Sequence, residues 1–579
     1  MLWQTLSSLR DLSRLYGIAS VLVRYGFGDL VRRMGLADFL EKAGRALHWD
    51  DAHDYAHLPP PARVRHALEA LGPTFVKLGQ VLATRVDLFE PEWIAEFALL
   101  QDHALPAPAQ AILAQLAEDL GGPPGELFSQ FDPEPIAAAS LAQVYGARLL
   151  DGRAVVVKVR RPGIRPLVEA DLRLLQRLAE AAEARSPALR AIQPRRLVRE
   201  FSQSLRREMD FVSEARQARR VAENFAGYAD DIGPPSDAPE GAAPAPPPIV
   251  IPRVLWECER VCIQERVEGI PGTRLDQVDA AGLDRRILAR RGARAVLKMI
   301  IEDGFFHADP HPGNLFYLPG HRIAFIDFGM VGRLDEQRRR QLVGLLLGLA
   351  KLDAPSVAGI VMDWAATDLL DEEALQRDID SFIDHYHGVP LGDLQFGAML
   401  NEVVAILRQH HLALPSDLSL LIKAFITLEG MGRELDPGFD MAGQALPMLE
   451  RAVRQQYAPQ EVLRRGWRSA REALALLAGL PADLTRLLRA ARRGRLEIHI
   501  DVPDVKDLGR QLDRAVSRLV VGVVVAALII GSSIVMTVPG GPKLMGLPLF
   551  GLMGFAGAVA GSIWLLASIW NSNRPGRAQ

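Results

Sequence analysis

The sequence predicts an α+β protein of two lobes, with a helical extension ahead of them and a helical hairpin behind. Three observations carry that expectation. Residues 1–125 repeat apolar positions at three- and four-residue spacing without alternating runs. Runs rich in β-branched residues gather between Ile136 and Arg266 and again at Arg322–Ile326. Two long charge-free segments close the chain. With 579 residues, there is room for two to four domains of roughly 100–200 residues.

Bulk composition narrows the function classes. The chain has 67 basic and 70 acidic residues, a net charge of -3, so no overall field attracts nucleic acid. Cys258 and Cys262 are its only cysteines. That excludes a disulfide framework, leaves too few ligands for a structural zinc site, and fits a reducing compartment.

Taken in order, Leu15–Val23 with Arg10, Arg14, Arg24, Arg32 and Arg33 reads as an amphipathic helix. It suits either an anionic membrane surface or packing on the domain. No small-residue cleavage site follows it, so it is not read as a signal peptide. Val144–Leu150 and Ala154–Val159 flank Asp151-Gly152 as a hairpin. A charged helical stretch runs from Val168 to Asn224, and Gly233–Pro248, rich in Pro, Ala and Gly, reads as an insert without a core. Strands are expected at Ile249–Val254 and Arg260–Arg266, helices from Asp284 onward, and a last strand at Leu496–Val502. Leu519–Val538 and Leu549–Trp570 hold twenty and twenty-two uncharged residues. Each is long enough, at about 1.5 Å per residue, to cross a hydrocarbon core of about 30 Å. Gly557 and Gly561 would let the pair pack closely, and Trp564 and Trp570 suit an interface. Arg510, Arg514, Arg518, Arg574 and Arg577 flank the hairpin while the connecting loop has only Lys543, which puts both ends in the cytoplasm. The expected domains are 1–125, a helical extension; 126–283, a first lobe; 284–510, a second lobe with a helical extension; and 511–579, the two spans.

The chemistry gathers in His307-Ala-Asp309-Pro-His311-Pro-Gly-Asn314, followed by Asp327-Phe-Gly329. The kinase catalytic loop places an Asp that accepts the acceptor's proton five residues before a metal-binding Asn, and a later Asp-Phe-Gly brings the second metal ligand. Asp309, Asn314 and Asp327 reproduce that spacing, so a bilobal protein-kinase-like fold is expected. His307 and His311 stand four apart like zinc ligands on a helix, but Pro310 and Pro312 deny that helix. Upstream, Lys158 ends the apolar run Val155–Lys158 as a phosphate-orienting lysine does, and Glu214 is its expected helical partner. Glu265 is counted with the nucleotide-binding candidates. Where a glycine-rich loop would cover the phosphates, the chain has Ala137-Ala138-Ala139-Ser140, which keeps the small size and loses glycine's positive-φ freedom. No Ala-Pro-Glu element follows Gly329, which weakens a protein-kinase reading.

These residues, with Lys77-Leu-Gly79-Gln80 and Glu208-Met209-Asp210, resemble the UbiB group, also called the ADCK or atypical kinase-like family. The Lys-x-Gly-Gln, alanine-rich and Glu-x-Asp motifs all match, and the likeness is specific over about residues 65–340. Gln217 departs from it, standing where the family often has Asn. The resemblance implies that the extension carrying Lys77, Gly79 and Gln80 folds over the site, with Lys77 and Gln80 reaching Glu208 and Asp210 in a regulatory contact. It implies ATP or ADP bound with Mg2+, and an ATPase or small-molecule kinase supporting ubiquinone biosynthesis. Its partners would be lipophilic quinone precursors or membrane lipid, in a homodimer or a biosynthetic complex. Its place would be the inner (cytoplasmic) membrane, multi-pass, with the kinase-like domain in the cytoplasm. The competing expectation is a nucleotide-binding pseudoenzyme that scaffolds a quinone biosynthetic complex.

Overall fold

A computed structural model describes residues 9–33, 58–100, 106–185, 193–230, 246–364, 371–390, 394–410 and 414–456, with isolated positions elsewhere up to 562. The chain divides into two compact units, Met1–Leu463 and Arg464–Gln579.

The first unit opens with helices α1 (Leu9–Arg24), α2 (Gly28–Arg33), α3 (Pro60–Leu71), α4 (Pro73–Leu82), α5 (Pro91–Ala98) and α6 (Ala109–Leu120). Prolines head α3, α4 and α5, where the missing N–H would have no intrahelical partner. Leu15, Ile18, Ala19 and Val23 of α1 are buried in one cluster with Leu68, Leu71 and Phe75 of the next helices and Val168 and Leu172 further on. Arg14 locks this packing by forking onto the buried carboxylate of Asp171 at 2.5 and 3.0 Å while donating to the Leu71 carbonyl at 2.6 Å. The apolar stripe of α1 is thus covered by protein, which decides against the membrane-surface alternative.

A five-stranded sheet follows, in the order β1-β2-β3-β6-β5. Its strands are β1 (Phe128–Ala138), β2 (Ala142–Leu149), β3 (Ala154–Arg160), β5 (Val254–Glu257) and β6 (Val261–Glu265), with β4 (Ile249–Val250) in a second sheet. The expected hairpin is β2–β3, paired antiparallel from Ala142↔Arg160 to Arg148↔Ala154. Most of β1 was unforeseen: Pro133 and Pro135 break its alternation, and bulges between Phe131 and Ala137 accommodate them at the sheet edge. The single strand expected over Ile249–Val254 is two. Ile249 and Val250 pair in parallel with Ile323 and Ala324 in the second sheet, Pro252 interrupts, and Val254 starts β5.

Among the described residues, the charged stretch expected as one helical run holds three helices, α7 (Ile164–Arg185), α8 (Pro194–Glu208) and α9 (Phe211–Asn224). The last break falls at Met209-Asp210, where the Asp210 carboxylate caps α9 by accepting from the Val212 N–H at 3.1 Å. Beyond lie β7 (Ile270–Pro271), α10 (Leu275–Ala280) and α11 (Arg285–Lys298), then β8 (Phe305–His307), β9 (Leu315–Leu318), β10 (Arg322–Phe325) and β11 (Val331–Arg333). The second sheet has the order β4-β10-β9-β7, and β8 pairs with β11. Helices α12 (Glu336–Lys351), α13 (Ala354–Trp364), α14 (Glu372–His385), α15 (Phe396–Gln409), α16 (Ser416–Leu435) and α17 (Met441–Gln456) complete the unit around one large apolar core.

In the second unit, Lys543–Leu544 and Leu547–Pro548 form a small antiparallel ladder. The expected pair of membrane spans is not borne out here: most of Leu519–Val538 and Leu549–Trp570 lies outside the described residues, and no described helix is long and apolar enough to cross a membrane. Leu496–Val502 and residues 233–245 of the insert also lie outside them.

Candidate active site

Sheet register builds one wall of the site. Lys158 on β3 lies opposite Val144 on β2 and Cys262 on β6. Alternation sends Val155, Val157 and Val159 into the sheet's own core and Lys158 to the other face, toward α9. There its Nζ meets Glu214 Oε1 at 2.5 Å, and Asp327 Oδ2 lies 3.8 Å away. Side chains of Lys158 and Glu214 are only 10% and 11% exposed, so each charge leans on the other.

Burial works against the Lys158 ammonium, but the carboxylates of Asp327 and Glu214 outweigh it, and the lysine is held charged above its usual range. Burial, partly offset by Lys158, raises Glu214. Chiefly because of Lys158, Asp327 is drawn down to about 2. Asp327 is therefore ionised at every physiological pH. Its backbone sits in the left-handed region at φ 59°, and its Oδ1 accepts from the Gly329 N–H at 3.1 Å.

The opposite wall is the loop after β8. His307 is buried, and its Nδ1 accepts the Asp309 N–H at 3.1 Å. That bond leaves the proton on Nε2, 3.3 Å from the Ile326 carbonyl it donates to. A neutral His307 so ties the Asp309 backbone to the residue before Asp327, and burial, the dominant influence, lowers its pKa in keeping with that role. Asn314 Nδ2 donates to the Asp309 carbonyl at 3.2 Å, and the Asn314 carbonyl accepts from the Ile326 N–H at 2.9 Å. With Nδ2 engaged, the Asn314 side-chain oxygen is left as a hard donor of the same kind as the Asp327 carboxylate, the kind magnesium takes. Asp309 itself faces an ammonium and an imidazole: Lys423 Nζ stands 3.0 Å from Oδ1, and His311 Nε2 stands 3.8 Å from Oδ2.

The alanine-rich stretch is the tip of the β1–β2 hairpin. Ala137 and Ala138 are still in register with Val144 and Gln143. The Ala139 N–H donates to the Ala142 carbonyl at 2.9 Å, and Arg161 Nε donates to the Ala139 carbonyl at 2.8 Å. None of Ala137 to Ser140 has a positive φ. The loop therefore closes on itself with ordinary backbone.

The remaining candidates divide. Lys77 Nζ meets Glu208 Oε1 at 2.5 Å, joining α4 to the end of α8. Gly79 sits where an added Cβ would lie 2.1 Å from Leu100 Cδ1 and 2.9 Å from Leu68 Cδ1, so its lack of a side chain admits Leu100, just after α5, and Leu68 of α3 against α4. One assignment is corrected. Gln80 donates to the Leu100 carbonyl at 3.1 Å instead of reaching Asp210, which is engaged as the cap of α9. Glu265 accepts the Arg253 N–H at 3.3 Å and faces its guanidinium at 3.5 Å. Lys423 was missed. Its signal was a lone cation among Leu418, Leu421, Ile422, Ala424 and Phe425, all buried.

Three family profiles match the chain. They describe an ABC1 atypical kinase-like domain over residues 99–361, a UbiB helical domain over 379–440 and an ABC1/UbiB kinase-like C-terminal domain over 503–571. Relatives include a probable protein kinase UbiB of Aliivibrio fischeri, 33% identical over 78% of this chain and 80% of its own. One from Pseudomonas putida is 35% identical over 79% and 81%, and one from Aeromonas salmonicida 33% identical over 90% and 93%. Among solved structures, the Rv3197–erythromycin complex of Mycobacterium tuberculosis aligns with 70% of this chain and 98% of that one. At 21% identity and a TM-score of 0.40 the likeness is too loose to bear on the fold.

Proposed function

The chain belongs to the ABC1/UbiB family of atypical kinase-like proteins, and from that premise we propose that it is a magnesium-nucleotide ATPase or small-molecule phosphotransferase supporting ubiquinone biosynthesis. One observation carries the proposal: Lys158, Glu214 and Asp327 meet in a single charged cluster, and Ile326, the residue before Asp327, is bonded to Asn314 and to His307, whose ring holds the Asp309 N–H. Lys158, steadied by Glu214, would orient the phosphates; Asp309 would accept the proton of an attacking hydroxyl or water. Asn314 and Asp327 would hold magnesium, whose charge neutralises the phosphate oxygens.

The acceptor we propose is a lipophilic quinone precursor reached at a membrane. Support comes from the two uncharged segments of twenty and twenty-two residues at the C-terminus and the arginines flanking them. The Lys77–Glu208 pair, which brings the extension against the kinase-like core, favours a small acceptor over a protein chain.

Asp327→Asn tests the site. In detergent-purified protein it should abolish magnesium-dependent nucleotide binding and hydrolysis while leaving the thermal midpoint close to that of the parent. In a deletion strain it should fail to restore ubiquinone where the parent succeeds. Unaltered magnesium-dependent turnover in the variant would refute the site, and normal ubiquinone in the deletion strain would remove the pathway.

A further inference from the structure

Lys423 belongs to none of the motifs that mark the site, yet its ammonium lies 3.0 Å from the carboxylate of Asp309. Its helix, α16, comes from the helical part of the second lobe. The neighbouring Leu418, Leu421, Ile422, Ala424 and Phe425 are all buried, so Lys423 places a cation within a run of packing residues. An ammonium there costs desolvation and needs an anion to offset it. Asp309 is that anion. Both side chains are 26% exposed, so the pair faces the open side of the site.

The register of α16 is fixed from outside the lobe. Asp87, in the loop after α4, is buried and gripped by Arg85 at 2.8 and 2.7 Å. The same carboxylate accepts the Leu414 N–H at 3.2 Å and the Ser419 hydroxyl at 3.4 Å. Ser419 is one turn before Lys423 on the same helix face. The helical extension therefore sets where Lys423 stands relative to Asp309.

We propose that Lys423 is a further catalytic residue, a cation supplied in cis that binds an equatorial oxygen of the transferred phosphoryl group. This rests on the reading of Asp309 and Asp327 as a phosphoryl-transfer site. In the step, the attacking oxygen forms a bond to the terminal phosphorus while the bond from phosphorus to the bridging oxygen breaks, and its electron pair leaves on the departing diphosphate. The attacking group's proton passes to Asp309, and Lys423 stays protonated throughout. A group accepting that proton sits about 3 Å from the nucleophile, and the nucleophile about 3 Å from phosphorus. An ammonium already 3.0 Å from Asp309 then reaches an equatorial oxygen by a small swing of a flexible side chain. In the transition state the charge of the transferred group is spread over its three equatorial oxygens, and a cation already held beside one of them stabilises that charge without further reorganisation.

The test uses the full chain in detergent, with ATP and magnesium as the probe, measuring affinity and steady-state hydrolysis of Lys423→Met and Lys423→Arg. Lys423→Met should bind Mg-ATP within about twofold of the parent and lose about 10²- to 10³-fold in kcat, the usual cost of one transition-state donor. Lys423→Arg, which keeps the charge, should recover most of that loss. Parent-like kcat in Lys423→Met overturns the proposal. So does a parallel loss of kcat, affinity and thermal midpoint, which marks a packing residue. A parent that neither binds nor hydrolyses Mg-ATP removes the phosphoryl-transfer reading and this inference together, whereas an active parent with an equally active Lys423→Met removes the inference alone.

Discussion

His307 shows at the residue scale how a motif letter acquires a physical role. Its ring is 1% exposed and packs against Phe328 at 5.3 Å, and the Asp309 N–H needs Nδ1 as an acceptor. Protonation would replace that bond with a clash of donors. Because burial lowers its pKa from the ordinary value near 6.5, the unfolded chain takes up a proton below that pH that the native protein refuses. Stability linked to His307 is thus full above about pH 6.5 and falls as pH drops below it. His307→Asn should lower the thermal midpoint at neutral pH, yet show a shallower decline than the parent between pH 7 and 5. Equal slopes would remove the assigned tautomer. Lys158, Asp309, Asn314 and Asp327 were legible because they stand at fixed spacing, and because Lys158, Asp309 and Asp327 carry charges that an apolar surround must explain. Lys423 was not, since its partner lies on an element remote in sequence.

Among elements, short β7 has an influence out of proportion to its length. Gly272 follows it and donates its N–H to the Leu315 carbonyl at 2.9 Å. A Cβ added there would stand 2.4 Å from the Pro312 carbonyl oxygen, and backbone cannot swing aside as a side-chain tip can. Gly272→Ala should push the loop carrying Asp309 and Asn314 and cut turnover about 10- to 100-fold, as misplacements of about 1 Å do, with a smaller loss of thermal stability. A variant with full turnover would show the loop to be tolerant there. The β2–β3 hairpin was legible from its alternation and turn, whereas β1 was hidden by Pro133 and Pro135 and the three helices α7 to α9 by their shared charged pattern. What separates α8 from α9 is one cap, Asp210, whose role depends on the backbone turning at that point.

Across the whole first unit, the extension is tied to both parts of the kinase-like core. Lys77 pairs with Glu208 at the end of α8, while Asp87 grips α16 and Arg408 of α15 donates to the Phe89 carbonyl at 2.9 Å. Asp87→Ala would leave Arg85 buried without its carboxylate and strip two donors of their acceptor, a loss of about 3–5 kcal/mol. It should lower the thermal midpoint and speed proteolytic cleavage in the loop between α4 and α5. Turnover should fall as well, because Lys423 loses its fixed register. Unchanged cleavage in that variant would mean the loop is held by other contacts.

By itself the sequence determined the order of the lobes, the residues that bear charge at the site and the family resemblance, because spacing within a loop and alternation along a strand are local properties. Only the tertiary structure decided which charges meet. Gln80 and Glu265 turn to Leu100 and Arg253, the apolar face of α1 finds a core in place of a membrane, and Lys423 arrives at Asp309 from a distant helix. Pairing depends on how elements pack against one another, and the strength of an ion pair on how much water that packing excludes.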